Sequence, residues 1–146
     1  MYRKILVAME HSDADRALLP HVRELASRLQ CQLLLVHVAD GWVARNFEQL
    51  NLAESEEMKS DRAYLEQTAS ELKSSGIPVQ TRLGLGNPPE QIVRIAAEEQ
   101  CDLIAMGSHG HRFVGDLLLG STIHEVRHTT AIPVLLIRAG AAPSET

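Results

Sequence analysis

Short apolar runs alternate along the chain with longer stretches in which apolar residues recur every three or four positions. Nearly continuous apolar character over a short run is typical of a strand buried on both faces of a sheet. Such runs occur at Lys4–Met9, Gln32–Val38, Asp102–Met106 and Val134–Ile137. A further segment, Val79–Leu85, alternates between apolar and polar residues, which predicts a more exposed strand at the edge of the sheet.

The stretches between these runs carry the signals of helices. Helices are predicted from the Ser12–Asp15 cap to about Leu29, over Glu54–Ser75, over Pro89–Gln100 and over Ser121–Thr129. Gly76 follows the second of them as a C-terminal cap, and Asn87-Pro88 opens the third with an N-cap and a proline. The apolar residues of Ala39–Leu52 show neither helical nor strand spacing, which predicts an irregular loop or lid.

This strict alternation of strands and helices predicts an α/β fold with a parallel sheet and helices on both of its faces. The length of 146 residues favours one domain, placed at residues 1–140 with a frayed tail at 141–146. A weak internal repeat supports the prediction, since Gln30-Cys31-Gln32 and Gln100-Cys101-Asp102 both lie where a helix gives way to a strand.

Charge and composition exclude several classes of function. The net charge is −5 and only five residues are aromatic by the counts of Trp, Tyr and Phe, which argues against a nucleic-acid surface. No apolar run approaches the length of a membrane span. Cys31 and Cys101 do not form a CxxC pair, so they are predicted to be reduced, buried thiols of a cytoplasmic protein.

The candidate chemistry follows the first and fourth strands, where the growth direction of the sheet is expected to switch. Ligands of open α/β sheets bind at the carboxyl ends of strands at such a switch point. Glu10 follows the first strand, and Gly107-Ser108-His109-Gly110 follows the fourth. Gly120-Ser121-Thr122 is then predicted to open a helix, where glycines and unpaired N–H groups suit a phosphate.

The glycines of this segment are also compatible with a purely structural role, in tight turns and at a helix start. Three glycines with a Ser-Thr pair after a buried strand nevertheless favour phosphate. The segment from Gly115 to Thr122 has some likeness to a P-loop, but Ser121 stands where the phosphate-binding lysine belongs. The P-loop is therefore rejected.

The spacing Gly107-x₂-Gly110-x₉-Gly120-Ser121 resembles the ATP-binding signature of the universal stress protein family. The resemblance covers nearly the whole chain. It includes Lys4–Ala8, Val36-His37-Val38, Gly86-x-Pro88-x₃-Ile92, Asp102–Gly110 and Pro133-Val134-Leu135.

The resemblance implies a Rossmann-like domain of the adenine nucleotide alpha hydrolase type, with a five-stranded parallel sheet in the order 3-2-1-4-5. It implies a stress-linked regulator that binds ATP, or AMP or ADP, and that hydrolyses the nucleotide little or not at all. It also implies Mg²⁺ or Mn²⁺ held through the phosphates and Ser121. It also implies a homodimer paired through the last strand, Val134, Leu135, Leu136 and Ile137. The residues assigned to the nucleotide are Ala8, Met9, Glu10, Val38, Met106, Gly107, Ser108, His109, Gly110, Gly120, Ser121 and Thr122.

The chain departs from the family pattern after the first strand. The family usually has aspartate and then a small residue there, whereas this chain has Glu10-His11. Two alternatives therefore accompany the ATP-binding regulator. One is a nucleotide-free interaction module, favoured if His11 fills the adenine pocket, and the other is a weak ATP hydrolase using Glu10, His109 or His111.

The remaining histidines give no metal site. His124 and His128 are four residues apart on one predicted helix, but a zinc site needs three or four converging ligands. No metal ligands are therefore assigned to the protein itself.

Overall fold

A computed structural model describes residues 1–40, 46, 55–108 and 117–138. Within these ranges the strands are β1 (Lys4–Ala8), β2 (Gln32–Ala39), β3 (Val79–Leu85), β4 (Leu103–Ser108) and β5 (Val134–Arg138). The helices are α1 (Ala14–Leu29), α2 (Glu56–Ser74), α3 (Pro88–Glu98) and α4 (Leu117–Thr129). The predicted tail 141–146 and most of the predicted loop at 39–52 lie outside the described residues.

The strands form one parallel five-stranded sheet in the order β3-β2-β1-β4-β5. The predicted fold class and strand order are therefore confirmed. β1 is central and pairs on one side with β2 and on the other with β4. The Asp102 carboxylate accepts hydrogen bonds from the backbone N–H groups of Arg3 and Lys4, at 2.9–3.1 Å. The residue just before β4 therefore holds the start of β1 in place.

Helices cover both faces of the sheet. Alternate strand residues such as Ile5 and Val7 pack with Leu18 of α1 and Leu65 of α2. Leu6 and its neighbours in the sheet face the other way, into a core shared with α3 and α4. The strand runs read as continuously apolar because both of their faces are covered.

The caps predicted at Asn87 and Gly76 are present and Ser55 adds one that was not predicted, whereas Asp13, the N-cap of α1, makes no side-chain capping hydrogen bond. The Asn87 side chain accepts from the backbone N–H of Glu90 at 3.2 Å, with Pro88 as the first residue of α3. The Ser55 side chain caps α2 by accepting from the N–H of Met58 at 3.1 Å. Gly76, just past the end of α2, has φ of +86°, a conformation that glycine adopts at little cost.

The internal repeat has a structural cause. Gln30 and Gln100 are both left-handed, with φ of 54° and 57°. The N–H of the following cysteine then bonds back to the helix, from Cys31 to the carbonyl of Ala26 and from Cys101 to that of Ala96. The same helix-ending turn thus leads into β2 and into β4.

The two cysteines are free and buried, and they lie on opposite sides of the sheet. Cys31 belongs to the core under α1 and α2, whereas Cys101 belongs to the core under α3 and α4. Burial raises the pKa of the Cys31 thiol and raises that of Cys101 to about 11. Both behave as small apolar groups rather than as reactive thiols.

One predicted boundary is wrong. The sequence places the start of the last helix at Gly120-Ser121-Thr122, but α4 begins before these residues, at Leu117. The three leucines before Gly120 are strong helix formers, and a glycine inside a helix costs only about 1 kcal/mol relative to alanine. Gly120, Ser121 and Thr122 therefore lie inside the helix rather than at its start.

Candidate functional site

A cleft opens at the carboxyl ends of β1, β2 and β4, the three central strands of the sheet. It encloses about 650 Å³ of space that is open to solvent. Its position is the switch point at which open α/β sheets bind ligands. The cleft is lined by Ala8, Met9, Glu10, Val36, His37, Val38, Pro88, Ile92, Met106, Gly107 and Thr122.

The structure brings together most of the predicted site residues that it describes. Those that line the cleft are Ala8, Met9, Glu10, Val38, Met106, Gly107 and Thr122. Ser108 ends β4 and Ser121 is exposed on α4, and neither is among the lining residues. His109 and Gly110 lie outside the described residues, and Gly120 is placed only as part of the α4 backbone.

The described walls of the cleft are mainly apolar. The apolar residues that form them include Val36 and Val38 of β2, Met106 of β4 and Ile92 of α3. Glu10, His37 and Thr122 are the polar side chains among the lining residues. Such walls suit an apolar group, with polar groups at the margin to fix its orientation.

Gly107 lines the cleft and also packs closely against α1. A Cβ atom built on it would lie 3.1 Å from the backbone carbonyl oxygen of Ala14, at the start of α1. A side chain at this position would therefore require the end of β4 and α1 to move apart by a few tenths of an ångström.

The backbone of Val38 points past the end of β1. Val36 accepts a hydrogen bond from the N–H of Met9 at 2.7 Å, so the backbone polar groups of Val36 face β1. Backbone groups two residues apart in a strand point to the same side. Those of Val38 therefore face the space beyond the last residue of β1, beside the cleft.

The turn after β1 is held by a buried carboxylate. Asp15, only 2% exposed, accepts from the N–H groups of Glu10 and His11 at 2.9 Å each and from the Tyr64 hydroxyl at 2.6 Å. Burial, and then the bond to Asp15, raises the pKa of the Tyr64 hydroxyl. This carboxylate fixes Glu10 in the wall of the cleft.

His11 turns away from the cleft. Its backbone is left-handed, with φ of 63°, and its ring stacks on Tyr64 with the centroids 4.1 Å apart. The Nδ1 atom lies 2.7 Å from an oxygen of Asp61, which is buried in α2. His11 is not among the lining residues of the cleft, so its ring leaves the slot open.

The roles of Asp15 and Asp61 were not predicted from the sequence. A signal was present in their spacing. Asp61 falls three residues after Met58 and four before Leu65, on the apolar stripe of α2, and all three are buried. Asp15 likewise precedes the buried Leu18 by three residues. A carboxylate in the middle of a buried helical stripe must have partners.

No group of three or more metal-ligating side chains occurs among the residues that the structure describes. His124 and His128 are exposed on α4 with their ring centroids 4.3 Å apart. Across the described ranges, no helix combines the length and the apolar character needed to cross a bilayer.

Strand order and crossovers together define a doubly wound α/β protein, with a cleft at its switch point. The chain belongs to the universal stress protein family, whose family profile matches residues 1–138. It is 31% identical over 155 residues to universal stress protein MJ0577 of Methanocaldococcus jannaschii, covering 94% of this chain and 96% of that protein. A universal stress protein of Thermus aquaticus is 32% identical over 139 residues, with 94% and 100% covered.

Solved structures show the same fold. The structure of MJ0577 superimposes with a TM-score of 0.80 at 30% identity, covering 97% of this chain and 99% of that one. The Archaeoglobus fulgidus universal stress protein in complex with dAMP has a TM-score of 0.69 at 22% identity, with 93% and 98% covered. A universal stress protein in complex with cAMP gives 0.69 at 19% identity, with 95% and 98% covered.

Proposed function

We propose that this chain binds an adenine nucleotide in the cleft and acts as a stress-linked regulator rather than as a metabolic enzyme. The observation that carries the proposal is the apolar slot at the switch point, with Glu10 at its wall and the backbone of Val38 beside it. An adenine ring is flat, largely apolar on its faces and polar at its edge. The apolar walls of the cleft suit the faces of the ring, and the polar groups at its margin suit the edge.

The polar groups at the slot have matching roles in the proposal. The N–H and carbonyl groups of Val38 face the space beyond β1, where they can pair with the edge of a base. The Glu10 carboxylate is placed to accept from a ribose hydroxyl or an exocyclic amine. Relatives of the same fold, in complex with dAMP and with cAMP, support an adenine nucleotide as the class of ligand.

The phosphates belong, in the proposal, to the segment between β4 and α4. The N-terminal end of α4, at Leu117, carries the positive end of the helix dipole, which favours an anion nearby. His109, Gly110, Gly120 and Ser121 keep their proposed roles from the family signature, with ATP and Mg²⁺ or Mn²⁺ as the expected ligands. Ser121 is exposed, so it would meet the metal or phosphate from the surface of the helix.

Neither alternative function gains support from the described residues. The interaction module is favoured if His11 fills the adenine pocket, whereas the His11 ring packs on Tyr64. The hydrolase depends on a base beside the phosphates. Glu10 lines the cleft, whereas His109 and His111 lie outside the described residues.

The proposal predicts that ATP with Mg²⁺ raises the melting temperature of the purified protein, because a ligand that binds only the folded state stabilises it. Ala8 lies in the floor of the slot between Val36 and Met106. An Ala8→Leu side chain would occupy the space of the base, so this variant is expected to lose the shift and to weaken calorimetric binding by at least about tenfold.

The matched control is Ala97→Leu, which makes the same change at an exposed position of α3. It should keep the full thermal shift. The proposed function would be overturned if the melting temperature of the wild type did not rise with ATP, ADP or AMP at millimolar concentration.

We also propose that two copies pair through β5, as the family resemblance implies. β5 is an edge strand of the sheet, and Leu136 is 41% exposed with Val134, Leu135 and Ile137 half-buried or partly exposed beside it. An open apolar edge strand is prone to uncontrolled pairing unless it is covered.

Light scattering coupled to size exclusion should therefore give the mass of a dimer. Leu136→Lys is expected to shift the protein to the mass of a monomer, because a charge would be buried in the paired interface. Gln80→Lys on the opposite edge strand β3, where Gln80 is exposed, is the control and should remain dimeric. A wild type of monomer mass would reject the dimer.

A further inference from the structure

The hydrogen-bonded ladder between β1 and β2 stops one step short of the cleft. In the parallel register that pairs Ala8 with Val36, the N–H of Met9 donates to the carbonyl of Val36 at 2.7 Å. One step further, the same pattern would join the N–H of Val38 to the carbonyl of Met9 and the carbonyl of Val38 to the N–H of His11. Neither bond occurs among the residues that the structure describes. Both polar groups of the Val38 backbone are therefore left without their ladder partners.

Two side chains take these partners instead. Nδ1 of His37 lies 2.8 Å from the carbonyl oxygen of Met9. Because a carbonyl can only accept, Nδ1 is the donor, and this contact is the same in a neutral ring protonated on Nδ1 and in a doubly protonated ring. The N–H of His11 donates to Oδ2 of Asp15 at 2.9 Å. Each of the two bonds that Val38 would make in a longer ladder is thus replaced by a bond to a side chain.

The His37 ring is held on the face of the sheet that α1 and α2 cover. His37 lies two residues beyond Leu35, whose side chain packs in the core on that face, and side chains two residues apart in a strand share a face. Nε2 of the ring lies 3.2 Å from Oδ2 of Asp61 in α2, and the two side chains are only 14% and 6% exposed. The ring therefore holds the Met9 carbonyl toward this face, away from the N–H of Val38.

We propose that His37 and Asp15 are positioning residues that end the ladder early, so that the N–H and the carbonyl of Val38 stay available to the edge of a base. This inference rests on the proposed function. Val38 lines the cleft together with apolar residues such as Met106 and Ile92. A ligand that displaces water there has to supply partners for the Val38 backbone. The Watson–Crick edge of adenine presents an acceptor, N1, beside a donor, the N6 amine, and these complement an N–H beside a carbonyl.

His37 is the better of the two residues for a test, because Asp15 also binds the N–H of Glu10 and the Tyr64 hydroxyl. Without a donor at position 37, the Met9 carbonyl can accept from the N–H of Val38. The ladder would then extend by one bond, and N1 of the base would lose its donor.

The test is isothermal titration calorimetry of the full chain with ATP and with 1-deaza-ATP, in which a C–H group replaces N1 of the base, each in the presence of Mg²⁺. The wild type is expected to bind 1-deaza-ATP about tenfold more weakly, which corresponds to the loss of one hydrogen bond. This ratio of affinities reports the contact to N1, whereas a general loosening of the cleft would weaken both ligands alike.

Two variants of similar size isolate the donor at position 37. His37→Asn keeps an N–H donor near the place of Nδ1, whereas His37→Leu has none. Both lose the contact with Asp61, so that loss cancels between them. His37→Asn should retain the ratio of about tenfold, and His37→Leu should reduce it to less than about twofold.

Amide hydrogen exchange, followed by NMR on the wild type alone, covers the case in which a variant does not fold. Without ligand, the N–H of Val38 should exchange faster than that of Val36, which lies within the ladder. Saturation with ATP should slow the exchange of Val38 at least about tenfold, and saturation with 1-deaza-ATP should slow it less.

The proposal is overturned if His37→Leu keeps the wild-type ratio, or if the N–H of Val38 exchanges as slowly as that of Val36 in the ligand-free protein. Equal binding of ATP and 1-deaza-ATP by the wild type rejects this inference and leaves the proposed function in place. No binding of either nucleotide, or of ADP and AMP, rejects the proposed function and this inference with it.

Discussion

Replacing Asp15 by alanine is expected to lower the free energy of unfolding by about 3–5 kcal/mol and the melting temperature by about 10 °C. The carboxylate is buried and accepts from three donors, the N–H groups of Glu10 and His11 and the hydroxyl of Tyr64. Alanine would leave these donors without their acceptor, and the turn that carries Glu10 would lose its anchor. Denaturant unfolding measures the first effect, and ATP calorimetry measures the second as a loss of at least about tenfold in affinity.

Tyr64→Phe is the matched control, because it removes one of the three donors and leaves the acceptor in place. It should cost only about 1 kcal/mol. Since the pKa of Tyr64 is raised in the folded state, wild-type stability should decrease above about pH 10, where the phenol of the unfolded chain ionises first. The Phe variant should lack this part of the decrease. Equal losses in the Asp15 and Tyr64 variants would contradict the anchoring role of Asp15.

Replacing Gly107 by alanine is expected to cost about 1–3 kcal/mol of stability and to weaken ATP binding. The added Cβ would lie 3.1 Å from the backbone oxygen of Ala14, and a backbone atom at the start of a packed helix cannot rotate aside. The end of β4 would have to separate from α1, which alters the cleft beside it. Chemical denaturation and calorimetry report the two effects.

Gly84→Ala makes the same change on β3 and separates a backbone contact from ordinary crowding. Its Cβ would meet the tips of two side chains, Ile95 and Val38, at 3.2 Å each. Side-chain tips can shift by a few tenths of an ångström, so the expected cost is below about 1 kcal/mol. A cost at Gly84 equal to that at Gly107 would show that crowding alone accounts for both.

The fold was predictable because each of its signals is local. The strand runs are apolar since both of their faces are covered, and this requirement is visible residue by residue. The Asn87-Pro88 cap and the terminating Gly76 act within one turn of helix. The start of α4 was missed because Gly120 reads as a boundary in isolation, whereas the leucines before it propagate the helix backwards to Leu117.

The candidate site was predictable only in part. The positions after β1 and β4 follow from topology, and the structure does bring Glu10 and Gly107 to one cleft. The direction of the His11 side chain was not predictable, because it depends on a left-handed backbone and on Asp61, fifty residues further along the chain. Buried polar networks join residues from separate elements, and no short sequence window contains all the partners.

The central place of β1 has a consequence for the order in which the molecule assembles. β1 is made before the other four strands, and it is bonded on one side to β2 and on the other to β4. Asp102, just before β4, accepts a hydrogen bond from the N–H of Lys4, 98 residues earlier in the chain. The half of the sheet formed by β1, β2 and β3 can therefore pair while synthesis continues. Until β4 emerges, the edge of β1 that β4 covers is not paired by β2 or β3, so this apolar strand edge stays exposed while the residues between β3 and β4 are made.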